Sequence, residues 1–229
     1  MKTAIALLVM CVMISCSGNK NETPESAKDK AAAATNGASN TAGGSTDASH
    51  KKYEIKSGIV TFESAMGMGS MIIKSKNVLY FDDYGMKECQ EEYSVDAAGG
   101  KETLTKRDFV KDGIRYVCSV EHKSGTKTKA MGYGVATVFN VDEAASLKDV
   151  QFKKLADETI CGKTCNGYSM VTSSGNVKMY GWSHVALKTT VDNASMKMKS
   201  ETVATKIEEN VAIPADKFDV PTGVVMSDR

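Results

Sequence analysis

From Lys52 onward the chain alternates apolar and polar side chains with a period of two, and short turn signals interrupt that alternation throughout. Ile114, Tyr116, Cys118 and Val120 fall on one side of their segment, with Arg115, Val117, Ser119 and Glu121 on the other. Val177, Met179, Val185 and Leu187 share a face further on. A period of two puts successive side chains on opposite faces of a strand, so this part of the chain must build half-buried β-sheet. Turn residues at Asp82-Asp83-Tyr84-Gly85, Ala98-Gly99-Gly100, Asp112-Gly113, Lys123-Ser124-Gly125 and Ser173-Ser174-Gly175-Asn176 are closely spaced, as in antiparallel hairpins. The pattern predicts strands at 53–63, 68–75, 77–82, 87–95, 102–110, 114–121, 127–138, 157–161, 164–172, 176–191 and 195–209. It breaks between Val141 and Ala156, where Asp142 can cap a helix and Val141, Ala144, Ala145, Leu147, Val150 and Leu155 recur at helical spacing. A shorter helical turn is expected at Pro214–Phe218, since proline suits a first helical position. The expected class is mainly β (α+β), one antiparallel sheet curled around one or two helices.

What precedes the alternation is of another kind. Lys2, an apolar run from Ala4 to Ile14, and Ser15 before Cys16 make a short export signal, too brief to span a bilayer. It is similar to a bacterial lipoprotein signal, which makes Cys16 the expected lipidated residue of the mature chain. More than one acyl chain on that residue would anchor it stably. The stretch 17–51 contains no Val, Ile, Leu, Phe, Tyr or Trp and cannot bury enough surface to offset the entropy of ordering. A flexible tether of that length has an r.m.s. reach of roughly 30 to 35 Å. The expected organisation is therefore a signal at 1–15, lipidated cysteine and tether at 16–51, and a folded domain at 52–229.

Charge is balanced, with Lys+Arg 29 against Asp+Glu 28, and interspersed. No basic stripe offers nucleic acid an electrostatic footprint, so nucleic acid is not an expected partner. Of six cysteines, Cys89, Cys118, Cys161 and Cys165 remain beyond Cys16 and the signal's Cys11. In an exported protein an even number suggests disulfides. Cys89 and Cys118, on neighbouring predicted strands, are one candidate pair, with buried free thiols as the alternative. Cys161 and Cys165 lie about 13 Å apart on an extended strand, so only a turn at Gly162-Lys163 would bring them within bridging range.

Catalytic chemistry has thin support. The three histidines, His50, His122 and His184, sit in the tether, beside a turn and along a strand. No metal-binding His or Cys spacing, nucleophile elbow or phosphate-binding glycine loop occurs, and no cofactor or metal is expected. Asp82-Asp83 reads as a turn, and Glu91-Glu92 as one inward and one outward strand residue. Methionine is abundant, with Met66, Met68 and Met71 in one hairpin and Met196 and Met198 in another. Thioethers fill cores, form adaptable apolar surfaces and, in pairs, bind Cu(I).

The order Thr159-Ile160-Cys161-Gly162-Lys163-Thr164-Cys165-Asn166-Gly167-Tyr168, then Val177–Lys188 around Trp182, then Ala204–Val211, then Phe218-Asp219-Val220-Pro221-Thr222-Gly223 resembles small lipoproteins and periplasmic proteins of the LolA/LolB-like superfamily. That resemblance spans residues 52–225, with its weight on 157–223. It implies an incomplete antiparallel barrel, a half-barrel wrapped over helices, whose apolar concave face takes acyl chains in the lipoprotein carriers. No carrier functional residue falls on a matching position here.

The reading is a non-enzymatic lipoprotein of the Gram-negative outer membrane, on its periplasmic or surface face, binding an apolar or lipid-like ligand. Ser17 after Cys16 fits outer-membrane sorting by the same resemblance. Trp182, Met179, Met196, Met198 and Tyr168 are the expected ligand contacts. The alternative is a structural or protein-interaction lipoprotein with a packed interior, no ligand and an envelope protein as partner. A hydrolase ranks third.

Overall fold

The structure is a computed structural model, and it describes residues 51–96, 100–130, 152–172 and 175–228. These belong to one compact unit, Ala48–Arg229. Its strands are β1 (Gly58–Met68), β2 (Met71–Asp82), β3 (Lys87–Val95), β4 (Glu102–Lys111), β5 (Ile114–Ser119), β6 (Ser124–Lys129), β7 (Phe152–Ile160), β8 (Lys163–Thr172), β9 (Gly175–Trp182), β10 (Val185–Asn193), β11 (Met198–Glu209) and β12 (Val225–Asp228). Short 3₁₀ turns stand at Asp83–Gly85 and Ala215–Phe218. Among the described residues the strands form a single open sheet in the order β12-β6-β5-β4-β3-β2-β1-β11-β10-β9-β8-β7. Every pairing is antiparallel except β12 with β6.

Two-residue turns with positive φ set several hairpin registers. Asp112-Gly113 (φ 52° and 72°), Cys161-Gly162 (50° and 75°) and Ser183-His184 (47° and 65°) each join a pair of strands. Such turns match the right-handed twist of the strands they connect. The Ser183-His184 turn divides the expected strand 176–191 into β9 and β10. The Cys161-Gly162 turn falls one residue before the expected Gly162-Lys163.

Between β2 and β7 lie six strand spacings, about 29 Å if the sheet were flat. Yet Leu79 and Phe81 of β2 share one buried cluster with Ile160 of β7 and Cys165 of β8. The sheet must curl to bring them together. Inside the curl lies the segment before β1. Lys52 and Tyr53 both donate backbone N–H to the Tyr84 carbonyl at 3.0 Å, Glu54 donates to Ser183 at 3.3 Å, and Asn210 donates to Ser57 at 2.7 Å. Tyr53 is 1% exposed against the Phe81 ring, with centroids 4.7 Å apart. Residues 53–57, expected as the start of a strand, instead tie the ends of β2, β9 and β11, and β1 begins at Gly58.

Other differences follow from tertiary pairing. Expected strands 68–75 and 77–82 are one strand, β2, because Ser75, Lys76 and Asn77 stay paired with β3. The end of the expected helix, 152–156, belongs to β7, where Phe152–Leu155 pair with Gly167–Met170 of β8; the rest of that helix, 141–151, lies outside the described residues. The expected strand 127–138 is β6, ending at Lys129, with 131–138 outside the described residues. β12 is an addition, and the segment leading to it covers the sheet: Phe218, Val220, Val224 and Met226 pack on Cys89, Phe109 and Cys118.

Candidate functional site: an open groove at the strand ends

Because neighbouring strands run antiparallel, the C-terminal ends of β1, β8 and β10 meet the N-terminal ends of β2, β7, β9 and β11. There the described residues leave an open groove of about 870 Å³. Its lining includes Ala65, Ile72, Phe152, Met170, Val171, Val177 and Val191, with the charged groups Lys153, Lys178, Lys199, Asp192 and Glu201. The strand register puts Phe152, Met170, Val177 and Val191 on one face of the sheet and Ala65, Ile72 and Val171 on the other, so the groove runs over the strand ends. Met170, Val177 and Val191 also belong to the local core built around Met179 and Tyr168, which holds the first of these faces in place. Gly175 lets β9 start hard against β10, since a Cβ at its φ of +114° would sit 2.3 Å from the Asp192 carbonyl oxygen.

The expected ligand residues are dispersed. Tyr168 and Met179 lie in that local core, with Met179 buried. Trp182, at the other end of β9, packs on the central core and carries the Lys163 ammonium 4.3 Å above its ring. Met196 stands exposed in the β10–β11 turn, and Met198 opens β11 opposite Met68. None of the five lines the groove, although Met170 and Val177, two positions from Tyr168 and Met179, do.

All four described cysteines are free thiols. Cys89 and Cys118 share one buried cluster, but they stand on β3 and β5 with β4 between. Two strand spacings, about 9.5 Å, exceed the roughly 7 Å that a bridge tolerates. The expected pairing of neighbouring strands is corrected by that intervening strand. Burial, followed by the nearby Glu91, pushes the Cys89 thiol up to about 12. Cys165 is buried and Cys161 exposed at its turn, its thiol donating to the Ala204 carbonyl at 3.1 Å.

The most unusual polar chemistry is in β3. Glu88 and Glu91 are both 0% exposed, and their three-residue separation sends them to opposite faces. Glu88 accepts from the Tyr53 hydroxyl at 2.5 Å and the Lys52 ammonium at 2.5 Å, pinning the segment that enters the fold. Glu91 accepts from Arg107 Nη2 at 2.7 Å, Arg107 Nε at 3.0 Å, Lys217 Nζ at 3.0 Å and the Tyr93 hydroxyl at 2.6 Å. Burial raises the Glu91 carboxyl, but the hydrogen bonds from Tyr93, Lys217 and Arg107 outweigh it and hold it below the usual range. Arg107 also donates to the carbonyls of Asp216 and Asp219, so the second network fastens the C-terminal segment. Each carboxylate closes on cations of its own fold, and the two do not face each other across a cleft. Sequence reasoning gave one of Glu91-Glu92 an inward place without choosing between them or assigning a partner; the usable signal was an acid in phase with Cys89, matched by Arg107 in phase with Phe109.

Among the described residues no group of three or more His, Cys, Asp or Glu is placed to hold a metal ion. His184 Nε2 approaches Glu54 Oε1 at 3.9 Å at the surface. No described helix is long and apolar enough to cross a membrane.

No protein-family model matches the chain, and no curated protein matches it. Solved structures do. An uncharacterized conserved protein from Thermus thermophilus superposes with a TM-score of 0.52 at 6% identity, over 78% of this chain and 94% of that one. The MucA/MucB complex of Pseudomonas aeruginosa gives 0.47 at 11% identity, over 76% of this chain and 59% of that one. A LolA superfamily protein from Nitrosomonas europaea gives 0.34 at 10% identity, over 74% and 92%. The first of these carries the likeness, which is one of fold: an open, curled, mainly antiparallel sheet. The last belongs to the superfamily that the C-terminal motifs resemble.

Proposed function

We propose that this chain is a non-enzymatic lipoprotein of the Gram-negative outer membrane, anchored through Cys16 and tethered by residues 17–51. Its folded domain, 52–229, takes an apolar or lipid-like ligand in the groove at the strand ends. The observation that carries this reading is the groove itself: about 870 Å³ falls within the roughly 300 to 1,000 Å³ of ligand sites. Its lining combines Ile72, Phe152, Met170, Val171, Val177 and Val191 with three lysines and two carboxylates, and with Lys199 paired to Asp192 it is the apolar side chains that suit an acyl chain. Native mass spectrometry of the mature protein, released from membranes in mild detergent, tests this. Co-purified lipid is the expected result, and a bare protein mass under conditions that preserve known lipid complexes contradicts it.

A second reading has its own support. The central core from Tyr53 to Leu187 is closed, with Tyr53, Phe81 and Leu187 below 2% exposed, as a packed interior requires. Capture of one envelope protein at fixed stoichiometry, with no lipid bound, would favour it.

A further inference from the structure

The sequence contains two methionine groups far apart in the chain, and the fold unites them. β1 pairs with β11 so that Met68 faces Met198 and Gly67 faces Lys199. The turns beyond are tied together by the Gly69 N–H donating to the Lys197 carbonyl at 3.4 Å. At this joint tip Met68, Met71, Ile72 and Met196 are 49%, 53%, 69% and 56% exposed. Such a concentration of exposed large apolar side chains marks an interaction surface. Neither 64–75 nor 193–200 contains an Asp or Glu, whereas Lys74, Lys197 and Lys199 all lie there. Lys199 also reaches Asp192 at 3.1 Å on the flank.

We propose that this double hairpin tip docks onto an anionic lipid bilayer. Unbranched methionine side chains adapt to acyl tails, and a lysine collar beside apolar side chains is the composition that settles at an anionic headgroup boundary. Charge complementarity selects the bilayer over an apolar protein groove, which would offer Lys74 and Lys197 no anion. Gly67, Ile72 and Lys199 belong both to the tip and to the groove wall. Docking therefore turns the groove mouth toward the lipid, a step that deepens the proposed function and rests on it only for what passes between the two.

The test is flotation of the mature chain, residues 16–229, carrying Cys16→Ser so that no acyl anchor contributes. Vesicles of phosphatidylcholine and phosphatidylglycerol in equal parts are compared with vesicles of phosphatidylcholine alone. The protein is expected to float with the anionic vesicles only and to lose binding as salt rises. K74Q/K197Q should weaken binding about fivefold per lysine, roughly 30-fold together. M71S/M196S should abolish flotation while leaving the thermal transition unchanged, since both side chains are exposed and neither lines the groove. Absence of flotation, equal flotation of the tip variants, or a tip-dependent dimer in sedimentation would overturn docking. The groove reading is judged separately: a protein that carries lipid yet does not float defeats docking alone, and one that floats yet carries no lipid defeats the groove alone.

Discussion

Replacing Glu91 with alanine removes the anion at the centre of the network on one face of β3. It strands Arg107, 9% exposed, and withdraws the main partner of Lys217. Two hydrogen bonds from Arg107, the contacts from Lys217 and one bond from Tyr93 vanish together. Breaking a buried pair from one side costs about 3 to 5 kcal/mol, because the remaining charge stays desolvated. For a domain of this size each kcal/mol lowers Tm by about 2 to 4 °C, which makes the expected drop roughly 10 °C. Calorimetry of Glu91→Ala measures it. The triple variant Glu91→Leu, Arg107→Met, Lys217→Met should recover most of the loss, since apolar replacements remove both the attraction and the desolvation cost. The pH dependence has a definite sign. The folded Glu91 carboxyl lies below its ordinary value of about 4.3. Its contribution is full above that value and is lost as pH falls through the lower folded one, so Glu91→Gln should flatten the acid limb of stability. A drop of less than about 2 °C for Glu91→Ala, equivalent to under about 1 kcal/mol, would refute the picture of a buried network that holds the C-terminal segment.

Tyr53→Phe removes the hydroxyl bonded to Glu88 and should cost about 1.5 to 3 kcal/mol, the range for a bond to a charged group, read by chemical denaturation. Gly175→Ala meets the Asp192 carbonyl at 2.3 Å and a φ of +114°, so it should lose about 1 to 3 kcal/mol; an unchanged denaturation midpoint would contradict the close approach of β9 to β10. Native alkylation should label Cys161 first and leave Cys89, Cys118 and Cys165 until unfolding, whereas a Cys89–Cys118 bridge in a non-reducing peptide map would contradict the strand register. Cys16→Ser should release the protein from membranes or stall its processing, and unchanged detergent partitioning would contradict lipidation at Cys16.

Strand identity was readable wherever one face is buried, because the period of two is then imposed by the core. β3, β4 and β8 begin and end within a residue of expectation for that reason. Legibility failed where long-range partners decide. Residues 53–57 alternate like a strand, yet Tyr53 serves Glu88 and Phe81 as part of a crossing segment. Ser75-Lys76-Asn77 resembles a break but remains paired because β3 continues alongside. Nothing local marks Val225–Asp228 as a strand, since its pairing is with β6, far earlier in the chain. The groove was illegible for the same reason: Ile72 of β2 and Phe152 of β7 line it from strands six spacings apart, a proximity that no local pattern encodes. Tyr168 and Met179 share a face and a cluster with Met170 and Val177 of the groove lining, while Trp182, at the other end of β9, packs on the central core.

Titration of the mature chain with the apolar fluorescent probe N-phenylnaphthylamine tests the central claim most directly. Val171→Glu puts a charge on the groove wall at a position 63% exposed, and Met198→Glu puts one outside that wall. The groove account predicts saturable binding that Val171→Glu weakens and Met198→Glu leaves intact, with both far-UV spectra unchanged. No saturable uptake by the unsubstituted protein, or weakening by Met198→Glu but not by Val171→Glu, would contradict it.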